Sequence, residues 1–201
     1  MRVTVFGATG GTGHEVLAQA LAAGHEGSVL VRDPAKLGAQ DPRVRVEVGD
    51  ARDPDAVARA VAGGQGAISC VGGSGLGRST LVTECVQTIV RALPTGARLL
   101  TVSTVGAGDS GSQMPLPVRA TIGLLLRNAI ADHDGAELAV MGSDLDWTIA
   151  RCVGLTDEPA RGEAHVTTSG RVGGSRIPRA DVAAWLVAGL ADPTYSRRAV
   201  T

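Results

Sequence analysis

Aromatic residues and lysine are scarce in this 201-residue chain. Only 2% of the residues are aromatic, namely Phe6, Trp147, Trp185 and Tyr195, so the core has to be built from Val, Leu, Ile and Ala. Lys36 is the only lysine, which excludes lysine-dependent mechanisms unless that residue lies at the reacting atoms. The length and a hydrophobic fraction of 44% predict one globular domain with a substantial core.

Three further absences narrow the class of protein. The formal net charge is −1, without the basic excess that nucleic-acid-binding proteins usually show. Cys70, Cys85 and Cys152 are odd in number and widely spaced, so neither a disulfide framework nor a metal site is expected. We expect no signal peptide, and the longest apolar helical stretch, residues 182–190, is short of the roughly 20 residues that span a bilayer. These features predict a cytoplasmic protein that binds neither nucleic acid nor membrane.

Predicted strands and helices alternate along the chain. The strands are residues 2–6, 28–31, 44–48, 67–70, 98–103 and 147–151, and the helices are 15–23, 54–61, 80–93, 131–142 and 182–190. Such alternation is typical of βαβ units around a parallel sheet. The sequence therefore predicts an α/β, doubly wound parallel sheet with three αβα layers, in a single domain over residues 1–201.

A glycine-rich run joins the first strand to the first helix. It comprises Gly7, Ala8, Thr9, Gly10, Gly11, Thr12 and Gly13. Gly7 permits a tight turn, Gly10 lets the backbone approach a diphosphate, and Gly13 lets the helix pack close to the strand. The helix N-terminus then offers N–H groups and a positive dipole end to the phosphates. The motif predicts a dinucleotide-binding Rossmann fold. The alternative is a glycine-rich turn that binds no ligand, because such a turn can have the same sequence pattern.

Two strand ends bear on the choice of dinucleotide. Arg32 ends the second strand, where an arginine suits the 2′-phosphate of NADP and a carboxylate would suit the 2′-hydroxyl of NAD. Asp33 follows it, so a one-residue slip would favour NAD instead. We favour NADPH as cofactor and leave NAD open. Asp50, with its neighbour Ala51, ends the third strand and is either an acceptor for the adenine amine or a turn residue.

The fourth strand ends in Cys70, Val71 and Gly72, which we expect to border the ribose and the diphosphate. Cys70 and Cys152 both fall at strand ends beside the expected cofactor. A redox pair is conceivable there, but small buried thiols are far commoner.

These motifs resemble those of atypical short-chain dehydrogenases. Within that group the chain is similar to the NAD(P)-binding family of biliverdin-IXβ reductase, flavin reductase and NmrA-like proteins. The resemblance covers nearly the whole chain and is carried by the glycine motif, Arg32, and residues 49–50, 103–104, 132–133, 144–151, 154–157 and 179–183. It implies cofactor contacts from Ser103, Thr104, Arg151, Cys152 and Val153, although related sequences commonly have proline where this chain has Cys152.

The usual Tyr-x-x-x-Lys pair of short-chain dehydrogenases is missing. Tyr195 lies near the end of the chain and Lys36 just after the second strand. Reduction of an ordinary ketone creates an alkoxide that needs a positioned acid. Flavins and linear tetrapyrroles spread the charge over a conjugated system, so solvent can supply the proton. The missing pair therefore favours such an acceptor.

His133 and Ser103 are the candidate catalytic residues. The resemblance matches Asp132 and His133 to a pair in the flavin-reductase branch, where the histidine lines the acceptor pocket, and an exposed histidine at a helix start is the alternative. We expect loops 106–117 and 152–168 to form the walls of this pocket.

The sequence thus predicts an NAD(P)H-dependent oxidoreductase that passes hydride from NADPH to a flavin, biliverdin or quinone. Flavin would be a substrate rather than a bound cofactor, and the protein a monomer or homodimer. The alternative is an NmrA-like sensor that binds NADP(H) without turnover. An epimerase acting on nucleotide sugars is weaker, because it usually needs the Tyr-Lys pair and a longer substrate domain.

Overall fold

The computed structural model describes residues 1–38, 41–73, 77–169 and 172–201. Nine strands and six α-helices lie in these ranges: β1 (Arg2–Phe6), α1 (Gly11–Ala22), β2 (Glu26–Val31), β3 (Val44–Val48), α2 (Pro54–Val61), β4 (Gly66–Ser69), α3 (Leu81–Ala92), β5 (Arg98–Thr104), α4 (Leu116–Leu125), α5 (Arg127–Met141), β6 (Asp146–Cys152), β7 (Gly154–Thr156), β8 (Arg176–Pro178), α6 (Arg179–Ala188) and β9 (Arg198–Val200).

Seven strands form one parallel sheet in the order β3-β2-β1-β4-β5-β6-β9. The strand order reverses between β1 and β4, and open α/β sheets bind ligands outside the carboxyl ends of the strands at such a point. The glycine-rich turn after β1 lies at this reversal. The predicted fold class, a doubly wound parallel sheet with three layers, is confirmed. Strands β7 and β8 form a separate parallel pair.

Apolar residues on both faces of the sheet produce two cores. One packs α1 and α6 against the sheet, with Val16 and Leu186 fully buried against Val5 and Ile68. The other packs α2, α3 and α5 against the opposite face, through residues that include Val57, Ile89, Val140 and Ile149. Successive residues of a strand point to opposite faces. In β6, Trp147 and Ile149 therefore belong to the second core and Ala150 to the first.

The sequence located the main elements but missed several helix starts. Helices α1, α5 and α6 begin three or four residues before their predicted starts at residues 15, 131 and 182, because the first turn of each adds little to the apolar pattern. Loop 106–117 contains a 3₁₀ turn and the start of α4, which was not predicted. Helix α4 exposes Leu116 and Leu124, so its sequence lacks a buried stripe. Strands β7, β8 and β9 are only three residues long and were also missed.

In the parts of the chain that the structure describes, no helix combines the length and the apolar character that crossing a membrane requires.

Candidate functional site

The turn between β1 and α1 is built so that only glycine fits at two of its positions. Gly7 has a φ of +78°, and a Cβ there would lie 2.6 Å from the carbonyl oxygen of Cys70. A Cβ on Gly13 would lie 2.1 Å from the carbonyl oxygen of Gly7. Both residues therefore allow the close approach of β1, β4 and α1.

Gly10 differs from these two glycines. It has a φ of −89°, and its added Cβ would meet only the oxygen of Gly7, at 3.3 Å. Gly10 caps α1 without a side-chain hydrogen bond, and the first turn of α1 carries no acidic residue. Thr9, Gly10 and Gly11 are exposed, whereas Ala8 and Thr12 are buried. This bare helix N-terminus fits a dinucleotide diphosphate, which needs open N–H donors and close backbone approach.

The end of β2 presents a free positive charge. Arg32 is exposed, and its guanidinium makes no hydrogen bond or ion pair within the described ranges. The carboxylate of Asp33 is already used, because it accepts a hydrogen bond from the N–H of Ala35 at 3.1 Å and caps a 3₁₀ turn. Arg32 thus has an available side chain, whereas Asp33 is tied to its own loop.

Asp50, after β3, is bound to Arg52 through both of its carboxylate oxygens, with the shortest side-chain distance 2.9 Å. The hydrogen bond from Arg52 lowers the pKa of Asp50 to about 2, with a smaller contribution from the nearby charge of Arg32. Its neighbour Ala51 packs against the second core. Arg32 and Asp50 therefore lie close together beyond the ends of β2 and β3, and the adenine contact of Asp50 stays a prediction.

A buried polar network lies at the other end of the site, where β5 and β6 end. Ser103 donates its hydroxyl to Glu137 Oε1 at 2.6 Å. Arg151 donates to both oxygens of Glu137, the shortest distance being 2.7 Å, and to Asp109 Oδ1 at 2.5 Å. The side chains of Arg151 and Glu137 are each only 4% exposed. Since this side chain is used inside the protein, any cofactor contact of Arg151 would come from its backbone.

Thr104, beside Ser103, is half-buried and donates its hydroxyl to the carbonyl of Val105. The carbonyl oxygen of Cys152 accepts a hydrogen bond from the N–H of Val105 at 2.9 Å. The chain segments that leave β5 and β6 are thereby held side by side.

The residues Asp132 and His133, paired in the sequence, have separate roles in the structure. Asp132 is buried and accepts hydrogen bonds from the N–H groups of Val82 and Thr83, so it caps the start of α3. His133 is partly buried on α5, one helical turn before Glu137. Burial lowers the pKa of His133, opposed by the nearby carboxylates of Asp132 and Glu137. Burial therefore favours the neutral form of its imidazole.

Cys70 directly follows β4 and Cys152 ends β6, and these two strands flank β5. Two strand spacings amount to about 10 Å, beyond the roughly 7 Å that Cα atoms may span in a disulfide. Burial raises the pKa of the Cys152 thiol to about 12, and burial also raises that of Cys70. Both are therefore protonated thiols and weak nucleophiles.

Hollows at the carboxyl ends of the strands lie on both sides of the network. One hollow, of about 300 Å³, is lined by Cys152 and Val153 at the end of β6. The rest of its lining is mostly apolar and includes Val166, Ile177 and Trp185. Another, of about 560 Å³, lies between loop 106–114 and helices α4 and α5. The two predicted walls thus line separate hollows, although Val172 donates a backbone hydrogen bond to Gln113 between them. His133 is not among the residues that line either of these two hollows.

The only lysine and the only tyrosine lie far apart. Lys36 is in the 3₁₀ turn after β2, whereas Tyr195 lies just before β9 at the opposite edge of the sheet. Val71 and Gly72 follow β4 beside the glycine turn, and nothing within 4 Å would obstruct a Cβ on Gly72. Among the described residues, no three His, Cys, Asp or Glu side chains converge as metal ligands would.

Glu137 and Asp109 belong to the network around Arg151 but were not predicted from the sequence. Glu137 is a buried acid four residues after His133, and that spacing on one helix face was the available signal. The contact of Asp109 with Arg151 depends on the folded loop and has no counterpart in local sequence.

The sequence matches the NAD(P)H-binding family over residues 7–193. Among solved structures, the chain is similar to the anaerobillin reductase ChuY of Escherichia coli O157:H7, at 28% identity and a TM-score of 0.79, covering 100% of this chain and 95% of that one.

Two more distant structures share the fold. A short-chain dehydrogenase/reductase of Veillonella parvula in complex with NADP is 18% identical, with a TM-score of 0.81 and coverage of 99% and 92% of the two chains. A putative NAD-dependent epimerase/dehydratase of Bacillus halodurans is 21% identical, with a TM-score of 0.79 and coverage of 100% and 92%. The predicted resemblance to atypical short-chain dehydrogenases and the predicted oxidoreductase class are confirmed, and the chain belongs to the NAD(P)H-binding family.

Proposed function

We propose that this protein is an NADPH-dependent reductase that transfers hydride to a conjugated acceptor such as a linear tetrapyrrole or a flavin. The similarity to an anaerobillin reductase over the full chain supports this acceptor class, because bilins are linear tetrapyrroles. The family match supports the nicotinamide cofactor.

The end of β2 supports NADPH over NADH. The guanidinium of Arg32 is free to make charge-assisted hydrogen bonds to a 2′-phosphate. Asp33, the residue that would favour a ribose 2′-hydroxyl, already caps its own turn.

The observation that carries the acceptor class is the 2.6 Å hydrogen bond from Ser103 to Glu137. The Ser103 hydroxyl donates its hydrogen bond to a buried carboxylate and is therefore not directed at a substrate. Among the described residues, the end of β5 then offers no free serine hydroxyl as the acid for an isolated alkoxide, whereas a conjugated acceptor can take its proton from solvent. When bound, the reduced nicotinamide supplies the hydride, and the residues of the chain hold the two reactants together.

The apolar hollow beyond β6 is our candidate for the acceptor site. It begins at Cys152 and Val153, where the resemblance implies the nicotinamide end of the cofactor. Its volume of about 300 Å³ is at the lower limit of small-molecule pockets. A flat conjugated ring packed against Trp185 and Ile177 would bury apolar surface there.

The test is a screen of NADPH oxidation with biliverdin, FMN, riboflavin and a quinone, paired with cofactor affinity by calorimetry. Gly10→Val should abolish both binding and turnover, because its side chain would fill the diphosphate position. Gly142→Val is the matched control: its φ is −78°, and its Cβ would also lie 3.3 Å from a backbone oxygen, but at the end of α5. It should bind NADPH as the wild type does.

Wild-type affinity in Gly10→Val would contradict the assignment of the cofactor site. Similar affinities for NADPH and NADP⁺, with no turnover of any acceptor, would instead support the NmrA-like sensor.

A further inference from the structure

Arg179, the first residue of α6, lies directly over the glycine-rich turn. A Cβ added to Gly11, the first residue of α1, would lie 2.7 Å from Arg179 Cδ and 2.8 Å from Nε. The N-termini of α1 and α6 therefore face each other with this side chain between them. Because Gly11 has no side chain, the Arg179 side chain from α6 can occupy the position that a Cβ would take.

The partner of Arg179 is a weakly held carboxylate. Its Nη1 donates to Asp157 Oδ1 at 2.8 Å, and Asp157 is 88% exposed against 27% for Arg179. Exposed ion pairs of this kind contribute little to stability, because water competes for both charges. A guanidinium has five N–H donors, and only one has a partner within the described ranges.

The hollow next to Arg179 has other features of an anion site. It has a volume of about 350 Å³ and includes Thr9, Gly10 and Gly11 of the turn. Thr156 also lines it, and its hydroxyl oxygen is buried without a hydrogen-bond partner among the described residues. Three carboxylates line it too: Asp157 and Glu158 already pair with Arg179 and Arg161, whereas Glu15 of α1 has no ion pair among the described residues.

We propose that Arg179 binds the diphosphate of the nicotinamide cofactor, and that Asp157 holds Arg179 over the turn until the cofactor arrives. Binding exchanges one exposed carboxylate for two phosphates that the N-terminus of α1 also stabilises. Asp157 is then an internal competitor that lowers cofactor affinity. This inference rests on the nicotinamide cofactor of the proposed function and adds a second arginine, at a different phosphate from that of Arg32.

The test compares dissociation constants for NADPH, NADH, ADP-ribose and adenosine 2′-monophosphate. Arg179→Gln should weaken NADPH, NADH and ADP-ribose by a similar factor, roughly 10- to 150-fold, since all three contain the diphosphate. Binding of adenosine 2′-monophosphate should not change. Arg32→Ala should show the reverse pattern, with losses only for the two ligands that carry a 2′-phosphate.

Two variants complete the test. Asp157→Asn should tighten NADPH by up to about 5-fold, because a competing anion is removed. Arg2→Gln is the matched control, since Arg2 makes an equally short 2.8 Å exposed pair with Glu26 at the other end of β1. It should leave all four constants unchanged.

Unchanged NADPH and ADP-ribose affinity in Arg179→Gln would overturn the assignment, as would an equal loss for adenosine 2′-monophosphate. Weaker NADPH binding in Asp157→Asn would overturn the proposal that the diphosphate replaces Asp157 as the partner of Arg179. A wild-type chain that binds neither NADPH nor NADH would overturn the proposed function itself, which separates the two failures.

Discussion

Arg32 and Arg151 lie near the carboxyl ends of two strands of the same sheet, yet their surroundings are opposite. Arg32 lies just past β2, exposed and without a partner in the described chain. Arg151 lies inside β6, 4% exposed, with its guanidinium bound to Glu137 and Asp109. Both were predicted to bind the cofactor. The comparison separates a charge that is free for a ligand from one that is used within the protein.

Strand geometry explains the difference. Arg151 is still within β6, where it shares a face with Trp147 and Ile149 and points into the second core. A charge at such a position must be paired, because desolvation without a partner is very costly. Arg32 is the first residue after β2, where side chains no longer alternate between the two faces of the sheet, so its side chain stays in water.

The largest effect should come from breaking the buried pair. Glu137→Leu leaves the Arg151 charge buried without its main partner, which should cost about 3–5 kcal/mol of unfolding free energy. The melting temperature should fall by roughly 6–20 °C. Glu26→Leu, which breaks the exposed pair with Arg2, should cost less than about 1 kcal/mol. Thermal and urea unfolding measure both.

A double variant shows whether the pair itself stabilises the fold. Glu137→Leu with Arg151→Met removes both charges and should recover much of the loss, since apolar residues often replace a buried pair without cost. A Glu137→Leu protein as stable as the Glu26→Leu protein would show that Arg151 finds water or another partner, contrary to the comparison.

The next effect concerns Arg32. Hydrogen bonds to a charged group contribute about 1.5–3 kcal/mol, so Arg32→Ala should weaken NADPH roughly 10- to 150-fold and leave NADH nearly unchanged. The loss should shrink in high salt, because an exposed phosphate contact is partly screened. Asp33→Ala should not impair NADH binding. Equal losses of NADH and NADPH in Arg32→Ala would assign Arg32 a structural role instead.

The fold and the glycine turn could be predicted because their causes are local. Apolar runs closed by glycine, or by Asp33 and Pro34 after β2, predict the strands of the first half. Asp53 with Pro54 marks the start of α2, where the Asp53 side chain accepts a hydrogen bond from the N–H of Asp55. The constraint on Gly13 arises within seven residues of sequence, because its added Cβ would meet Gly7, and the positive φ of Gly7 belongs to the same turn. The close approach of Cys70 to Gly7 comes from the packing of β4 beside β1.

The network around Arg151 could not be predicted in this way. It depends on the register that places Ser103 beside Arg151 in the sheet, so that both reach Glu137 on a helix packed against that face. The same holds for Arg179, which meets Gly11 only after α1 and α6 have packed together. Tertiary contacts of this kind leave no periodic signal in either segment.

The smallest effect should come from His133, next to the buried network. His133 lines neither of the two hollows described above, so it meets an acceptor only where that acceptor extends towards α5. Burial lowers its pKa and favours the neutral imidazole, which can contribute an ordinary hydrogen bond there, worth about 0.5–1.5 kcal/mol. His133→Ala should therefore reduce kcat/KM for the acceptor by roughly 2- to 12-fold and leave the Kd of NADPH unchanged. Because the lowered pKa is below 6.5, the ratio of wild-type to variant kcat/KM should stay nearly constant from about pH 7 to 8 and change only in more acidic solution. A ratio that grew steadily as the pH fell from 8 to 7 would mean a cationic histidine, exposed rather than buried. An unchanged kcat/KM with every active acceptor would place His133 outside the acceptor site.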